Sequence, residues 1–363
     1  MARPASALLL LALLAAACAA PDAMRSPEPT PAIATASPGP TASRGPTADP
    51  TAAPTATAVP TTSPAAELTF AMQTYPVPAG AHPHDVAPAL DGGIWYTGQG
   101  NGTLGWLDPE TGDVREIPLG AGSRPHGVIT GPDGAAWVTV GGLNAIVRVD
   151  AETDAVTTYP LNAPNANLNT ATFDPDGVLW FTGQQGVYGS LDPTSGELMV
   201  RTVEPGPYGI STTADGDVYF SSLAGSHLGA IDRGSGEVTT IETPTAGGGA
   251  RRVWPDSDGR LWVTEWFAGM LAMYDPADRT WAEFPLPGES PMPYAVFVDE
   301  RDAVWVTDFG ANAMLRFDPA TEEWLSFPHE SAPAEVRQLL GRPGEVWGAE
   351  SAADQLVVVR TGD

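Results

Sequence analysis

Two small sets of residues in this chain have the types and spacing that chemistry needs. His84 and His126 lie 42 residues apart, and each directly follows a proline. Three acids recur at steps of 43 and 42 residues: Glu265, Asp308 and Glu350. An imidazole titrates near neutral pH, so either histidine can take a proton from a carbon acid or give one to a leaving group. The carboxylates can bind a hard cation such as Mg²⁺ or Ca²⁺, or can instead pair with Arg251 and Arg252.

Almost the same interval separates a set of aromatic residues that marks an internal repeat. Each lies after an Asp-Gly turn or its counterpart, and the steps between them are 42, 43, 39, 43, 43 and 42 residues. The aromatic positions are Trp95, Trp137, Trp180, Tyr219, Trp262, Trp305 and Trp347. A period of about 40–45 residues with four short strand patterns per unit predicts a β-propeller.

The second repeat shows the predicted unit most clearly. Its four strand patterns, a to d, cover residues 127–130, 136–140, 145–149 and 155–159. An Asp-Gly turn joins strands a and b, and an Asp-Pro turn recurs between strands c and d. The last repeat lacks strand d, whereas residues 70–76 resemble the strand d that ends at Tyr159-Pro160. We therefore predict an all-β, seven-bladed propeller whose N-terminal strand completes blade seven and closes the ring.

The repeat places several polar residues at one mouth of the central channel. Strand a is innermost and antiparallel to strand b, so the start of a and the end of b lie at the same end of each blade. We count seven residues back from the Asp of each Asp-Gly turn, or from the equivalent position where the turn differs. The residues found there are His84, His126, Asn169, Tyr208, Arg251, Tyr294 and Val336. Three residues after each recurring aromatic residue, the chain has Gly98, Val140, Gly183, Ser222, Glu265, Asp308 and Glu350.

Convergent polar groups at a channel mouth are typical of a ligand site, although a solvated mouth tolerates polar residues without one. We expect His126 and His84 to be catalytic, and Glu350, Asp308 and Glu265 to hold a metal. We expect four further residues to contact substrate: Asn169, Tyr208, Arg251 and Tyr294.

The remaining histidines are expected to have lesser roles. His82 lies two residues before His84, close enough to reach the same mouth. His227 and His329 fall in a loop and after a strand d, where solvated surface is expected. The sequence has no Cys/His spacing for zinc, no Gly-rich phosphate loop and no Gly-X-Ser-X-Gly motif.

The N-terminal region is predicted to lie outside the propeller. Residues 1–18 have a short basic start and an apolar run that ends in Ala-Ala-Ala-Cys, as in a bacterial lipoprotein signal peptide. Cys18, the only cysteine, would be lipidated; a plain secretory signal is the alternative. Residues 19–66, rich in Pro, Thr and Ala, would form a disordered tether, and residues 67–363 the propeller.

Charge restricts the partners of this chain. The net charge is −27, with 44 acidic residues and 17 basic residues that are all arginine. Such an acidic surface argues against nucleic acid or anionic lipid. We expect an exported monomer on the outer face of the cell membrane that contacts the membrane only through its lipid. The expected ligand is a small molecule, peptide or glycan at the channel mouth.

The repeat units resemble those of the streptogramin B lyases, also called virginiamycin B lyases. The clearest segments are residues 125–128 (Pro-His-Gly-Val), 133–139 (Asp-Gly-Ala-Ala-Trp-Val-Thr) and 261–266 (Leu-Trp-Val-Thr-Glu-Trp). The similarity extends over about residues 68–360. It implies a seven-bladed propeller that confers antibiotic resistance by opening a cyclic depsipeptide through elimination. A histidine would remove the proton α to the ester carbonyl, Mg²⁺ would stabilise the enolate, and the ester oxygen would leave.

The resemblance also exposes departures at the site. The two functional histidines of the family lie one blade apart in equivalent strand-a slots, which here are matched only by His84 and His126. The family's metal-binding acids correspond to Arg124 and Val140, which cannot bind Mg²⁺. The family's histidine pair also falls in later blades, where this chain has Arg251 and Tyr294.

Three functional hypotheses therefore stand. The first is a lyase acting on streptogramin B, on another cyclic ester or on a polysaccharide. The second is a non-catalytic propeller that binds a peptide, glycan or protein through Tyr208, Tyr294, Trp266 and Phe267. The third is a Ca²⁺-dependent hydrolase related to gluconolactonases, against which the count of seven blades argues because those propellers usually have six.

Overall fold

The computed structural model describes residues 68–362, which form 28 β-strands in seven four-stranded antiparallel sheets. The predicted signal peptide, Cys18 and tether lie outside these residues. No helix in the described residues has the length and apolarity that a membrane crossing requires. The predicted all-β propeller of seven blades is confirmed.

The strand bounds follow the repeat. Blade 1 contains β2 (Pro83–Pro88), β3 (Ile94–Gly98), β4 (Thr103–Leu107) and β5 (Val114–Pro118). Blade 2 contains β6 (Pro125–Thr130), β7 (Ala136–Val140), β8 (Ala145–Val149) and β9 (Val156–Pro160). Blade 3 contains β10 (Leu168–Phe173), β11 (Leu179–Gly183), β12 (Val187–Leu191) and β13 (Leu198–Thr202). Blade 4 contains β14 (Ile210–Thr212), β15 (Val218–Ser222), β16 (His227–Ile231) and β17 (Val238–Glu242).

The later blades repeat this order. Blade 5 contains β18 (Ala250–Pro255), β19 (Leu261–Glu265), β20 (Met270–Asp275) and β21 (Thr280–Pro285). Blade 6 contains β22 (Pro293–Val298), β23 (Val304–Asp308), β24 (Ala313–Asp318) and β25 (Glu323–Pro328). Blade 7 contains β26 (Val336–Arg342), β27 (Glu345–Glu350), β28 (Gln355–Gly362) and, as its outer strand, the N-terminal β1 (Thr69–Pro76).

The recurring aromatic residue anchors the core between neighbouring blades. All seven side chains at this position are at most 7% exposed. In five blades the indole N–H donates to a nearby acid of the a–b hairpin, with N···O distances of 2.8–3.2 Å: Trp137, Trp180, Trp262, Trp305 and Trp347. The acid satisfies the one polar group of the indole, so that the ring can be buried at little cost.

In blades 1 to 5, a hydroxyl two residues after the aromatic position links the blade to the next one. Thr139 Oγ1 accepts from the Gly127 N–H at 2.8 Å and donates to the Asn169 carbonyl of the following blade at 2.5 Å. Equivalent pairs of bonds are made by Thr97, Thr182, Ser221 and Thr264. These bonds fix the start of the five strands a that follow, where the candidate site residues lie.

Candidate active site

A β-bulge at the start of strand a turns the site residues toward the channel. In β2 the register shifts between Pro83 and Val86, so that His84 and Asp85 together oppose one residue of β3. The same shift occurs in β6, β10, β18, β22 and β26. A bulge adds a residue and re-aims side chains, which here yields two successive residues per blade at the channel.

The first residues of these bulges and their blade-4 counterpart form what we term the mouth ring: His84, His126, Asn169, Tyr208, Arg251, Tyr294 and Arg337. Sequence reasoning chose Val336 for blade 7, and this is wrong by one position. Val336 pairs with Glu350 as Pro83 pairs with Gly98, so Arg337 is the equivalent of His84. Nine residues separate Arg337 from Trp347, whereas ten separate His84 from Trp95, so counting back by the fixed interval misplaced the register.

The second bulge residues supply polar groups below the mouth ring, which we term the floor: Asp85, Thr170 and Arg252, with Gln338 after Arg337. Arg252 is 5% exposed and donates from Nη1 to Thr170 Oγ1 at 2.8 Å and to Asn169 Oδ1 at 3.3 Å. Beyond the floor, side chains such as Val253 and Leu339 leave a cavity of about 30 Å³, the space of roughly one water. A ligand at the mouth ring therefore rests on the floor.

The two predicted catalytic histidines meet in the mouth ring. Their ring centroids are 4.0 Å apart, with the planes inclined at 45°. His84 Nδ1 lies 2.7 Å from Asp85 Oδ1, and both residues are buried. Burial, followed by the charges of Arg252, Arg337 and Arg251, holds the pKa of His84 well below its usual value. Burial and the adjacent His84 lower the pKa of His126 in the same way.

A cleft of about 400 Å³ opens beside His126. Gln99, Arg124, Asn144 and Asn167 line it with polar groups. Arg124 and Asn167 have φ values of 48° and 49°, and each stands two residues before a mouth-ring residue. Sequence reasoning missed the amide groups of this cleft, since they lie in loops that the repeat does not constrain. Its size suits a small ligand.

The other predicted substrate contacts form an aromatic cage around Arg251. The guanidinium carbon lies 3.5 Å from the Tyr294 ring centroid, 4.4 Å from that of Trp266 and 4.8 Å from that of Tyr208. Tyr208 and Tyr294 share a hydrogen bond of 2.6 Å between their hydroxyl groups. Phe267 is 66% exposed beside this cage. The structure thus brings Tyr208, Arg251 and Tyr294 together. Asn169 is connected to them by Arg252, which donates a hydrogen bond to it and lies near both tyrosine rings.

The three acids predicted to hold a metal do not converge. Glu350 binds His329 Nδ1 at 2.7 Å and Gln355 Nε2 at 2.5 Å, and it also accepts from Ser331. Burial alone would raise the pKa of Glu350, but these hydrogen bonds outweigh it and lower the pKa. Asp308 Oδ1 accepts from the backbone N–H groups of Met292 and Gly310. Each of these two carboxylates therefore already holds its own neighbouring loop.

Glu265 differs from the other two acids. Both of its carboxyl oxygens are buried without a hydrogen-bond partner among the described residues. Burial and the neighbouring Glu283 carboxyl raise the pKa of Glu265 to about 7. A carboxyl with so high a pKa is partly protonated at neutral pH.

Within residues 68–362, one group of three candidate metal ligands is found, and it consists of His84, Asp85 and His126, whose ligand atoms lie within 4.8 Å of one another. It offers two nitrogens and one carboxylate, and the Nη2 atom of Arg252 lies 3.9 Å from that carboxylate. Mg²⁺ prefers about six oxygen ligands and is opposed by a nearby guanidinium. The residues present therefore do not fit Mg²⁺.

Two histidines that were expected on the surface are buried, so that expectation is wrong. His227 is 6% exposed and packs against Phe220 at the start of β16. The His329 side chain is 2% exposed and is bound to Glu350. His82 is exposed, and its Nδ1 lies 3.2 Å from the Ser351 carbonyl oxygen.

Comparison with known proteins decides the family. The sequence model of the virginiamycin B lyase family matches residues 113–362. The chain belongs to the virginiamycin B lyase family. It is 34% identical over 123 residues to the virginiamycin B lyase of Nocardia farcinica, an alignment that covers 34% of this chain and only 43% of that relative.

Solved structures show the same fold at lower identity. A catalytically inactive variant of the Staphylococcus aureus virginiamycin B lyase with quinupristin superposes with a TM-score of 0.75 and 21% identity, covering 80% of this chain and 99% of that chain. Kuenenia stuttgartiensis hydrazine synthase superposes with a TM-score of 0.66 and 15% identity, covering 79% and 97%. Membership of the virginiamycin B lyase family thus rests on sequence, since this fold carries unlike chemistries.

Proposed function

We propose that the chain is a carbon–oxygen lyase that opens a cyclic ester at the mouth ring. The observation that carries this proposal is the His84–Asp85 hydrogen bond of 2.7 Å, with the ring centroid of His126 4.0 Å from that of His84. Both imidazoles are neutral at pH 7 because their pKa values are lowered. A neutral imidazole is the form that accepts a proton.

The roles of the two histidines follow from their contacts. An ionised Asp85 carboxylate accepts a hydrogen bond from the His84 Nδ1–H, which assigns the lone pair of His84 to Nε2, the atom that we propose as the base. His126 lines the cleft and is placed to donate a hydrogen bond to the ester oxygen. Membership of the virginiamycin B lyase family supports elimination as the reaction class.

In an elimination, the bonds that form and break determine which C–O bond of the ester is cleaved. The proton leaves a carbon that is activated by a carbonyl group and adjacent to the carbon bearing the ester oxygen, and it passes to His84 Nε2. The C–H electron pair forms a C=C bond, the alkyl C–O bond breaks, and the leaving group keeps the electron pair of the C–O bond as a carboxylate. The broken bond therefore lies on the alkyl side of the ester, and no water is consumed.

Mass spectrometry of a streptogramin B incubated with residues 67–363 tests this proposal. We expect a linear product of unchanged mass, both with added Mg²⁺ and with EDTA, since the donor set does not fit Mg²⁺. His126→Ala should lower the rate on the order of 10²-fold or more, whereas His82→Asn at the exposed histidine should not. A product heavier by one water would mean hydrolysis and contradict elimination. An unchanged substrate would remove streptogramin B and favour the binding alternative.

Export and lipidation at Cys18 belong to the same proposal. Their support is the apolar run of the first 18 residues and the cysteine that ends it. A lipid-anchored enzyme would meet its ester outside the cell membrane. Metabolic labelling with a radioactive fatty acid should mark the full chain and not its Cys18→Ser variant.

A further inference from the structure

We propose that Arg251 and Arg252 form a carboxylate-binding site, which in the reaction proposed above receives the carboxylate released from the ester. This assignment of the leaving group rests on the proposed function, while the binding site itself rests on the geometry of the mouth. Three observations carry it: unmet hydrogen-bond donors, an unpaired charge and a rigid setting.

In the mouth ring and the floor, the buried polar atoms that lack a hydrogen-bond partner are mainly donors. Among the described residues, the buried polar atoms without a partner include Arg251 Nε, Arg252 Nε and Asn169 Nδ2. Each of these atoms carries N–H groups and cannot accept. In the mouth ring and floor, Asp85 Oδ2 is the one carboxylate oxygen without a partner, and His126 Nδ1 can either donate or accept. The unpartnered oxygens of Glu265 and Asp308 belong to the ends of strands b, outside these two sets. A ligand that fits must therefore bring acceptor oxygens.

The charge of the mouth points to an anion. Arg337 pairs with Glu335 at 2.5 Å, and Arg252 lies 3.9 Å from Asp85. In the part of the chain that the structure describes, no carboxylate oxygen lies within 4.0 Å of the Arg251 guanidinium. Of the three arginines in the mouth ring and floor, Arg251 is therefore the one without an ion pair to a described residue. Its charge is balanced only by the faces of Tyr208, Trp266 and Tyr294.

Both guanidinium groups lie against the same two rings and are held there. The Arg252 guanidinium carbon is 5.4 Å from the Tyr208 ring and 5.9 Å from the Tyr294 ring. Arg251 Nη2 donates to the Tyr208 hydroxyl at 3.0 Å. Burial and the neighbouring Tyr294 raise the pKa of Tyr208 to about 12, so this hydroxyl stays neutral. Fixed donors of this kind need little reorganisation when charge develops.

A carboxylate is the anion that the proposed reaction supplies. Breaking the alkyl C–O bond places a full negative charge on the two oxygens of the leaving group. Guanidinium binds carboxylate through paired N–H groups, and such charge-assisted hydrogen bonds are about twice as strong as neutral ones. Arg251 and Arg252 would thus stabilise the charge that forms as the bond breaks, without a metal.

Binding of hippurate, compared with its uncharged primary amide, tests the site without any turnover. Isothermal titration of wild-type residues 67–363 should show hippurate binding on the order of tenfold or more tighter than the amide, weakened by salt. Arg251→Gln should lower hippurate affinity on the order of tenfold, whereas Arg201→Gln on the outer strand of blade 3 should leave it unchanged. Equal binding of hippurate and the amide would overturn the proposal.

A second variant covers the case in which Arg251→Gln disturbs the aromatic cage. Arg251→Lys keeps the charge but loses the planar fork, and it should bind hippurate with intermediate affinity. Near-ultraviolet circular dichroism reports whether the cage is intact in either variant. Hippurate binding that is unchanged in both folded variants would overturn the proposal.

The outcomes separate this inference from the proposed function. A wild-type protein that opens a cyclic ester but does not bind hippurate would overturn the carboxylate site and leave the lyase proposal standing. A protein that binds hippurate through Arg251 but opens no ester would support the site and contradict the lyase proposal.

Discussion

At the scale of single residues, the contact between Asp85 and His84 determines whether the site can act as a base. The carboxylate is 1% exposed and faces one imidazole nitrogen at 2.7 Å. Asp85→Asn would remove the negative charge and would no longer select the tautomer with its lone pair on Nε2. We expect kcat for ester opening to fall on the order of 10²-fold or more, with KM little changed.

An acidic residue on an exposed turn provides the control for this substitution. Asp113 is exposed between β4 and β5, and Asp113→Asn should leave kcat unchanged. An Asp85→Asn protein that kept the full kcat would contradict the role given to His84, and would leave His126 as the base.

The lowered histidine pKa values predict the pH dependence of the reaction. His84 is faced by Asp85, His126, Arg251, Arg252 and Arg337, and burial with the three arginines disfavours its charged form. A base with a lowered pKa stays deprotonated as the pH falls through the ordinary histidine value of about 6.5. We expect kcat/KM to stay level from about pH 9 down to about pH 6.5 and to decline only below it. An acid limb centred above that value would contradict the assignment.

The sequence was sufficient to place the histidine pair but not its surroundings. His84 and His126 stand one repeat apart at the same strand position, so the period alone predicts that they meet. Asp85, Arg252 and Gln338 follow mouth-ring residues directly, and in a regular strand alternate residues would point away from the channel. The bulge turns both residues inward, and hydrophobic periodicity carries no signal for it.

At the scale of the strands, a hydroxyl two residues after the aromatic position holds the start of strand a in five of the blades. Thr139 bonds both Gly127 in its own blade and the carbonyl of Asn169 in the next. A Cβ at Gly127 would lie 2.7 Å from that carbonyl oxygen, so the approach also requires glycine. The repeating threonine is visible in the sequence as part of the motif. Its hydroxyl holds the backbone carbonyl of the mouth-ring residue in the following blade.

Replacing this threonine by the isosteric valine tests these hydrogen bonds. Thr139→Val leaves the buried Gly127 N–H without an acceptor, so the free energy of unfolding should fall by about 1–3 kcal/mol. Thr157→Val, at an exposed position of β9, should change the free energy of unfolding by no more than about 0.5 kcal/mol. Urea unfolding of both variants measures the difference. A Thr139→Val protein as stable as the wild type would show that packing alone holds the two blades together.

At the scale of the whole molecule, the channel mouth carries positive charges although the chain as a whole is strongly negative. The net charge is −27, yet four of the 17 arginines, Arg124, Arg251, Arg252 and Arg337, stand at or beside one mouth. An acidic surface repels anionic ligands at long range, whereas the arginines at the mouth attract them at contact. A ligand with one carboxylate beside an apolar or aromatic body suits this arrangement better than a polyanion.

The closure of the ring was predictable because it follows from counting strands. The last repeat lacks strand d, and the first strand of the domain has the matching pattern. The structure pairs β1 with β28 from Thr69 opposite Gly362 to Pro76 opposite Gln355. The details of the contact were not predictable, because Phe70 packs on Phe327 of blade 6 whereas the Tyr75 hydroxyl reaches the Pro109 carbonyl of blade 1. The strand thus joins blade 7 to both neighbours.

Removing β1 tests how much the propeller depends on this closure. A protein that begins at residue 77 would expose the N–H and C=O groups along β28 and lose the contacts of Phe70 and Tyr75 with the adjacent blades. An unpaired edge strand is a template for association, so we expect a lower urea midpoint and concentration-dependent oligomers in light scattering, compared with a protein that begins at residue 67. The single variant Phe70→Leu, which keeps β1, should lower stability without creating oligomers. If the protein lacking β1 stayed monomeric at an unchanged urea midpoint, the three remaining strands of blade 7 would suffice to close the ring.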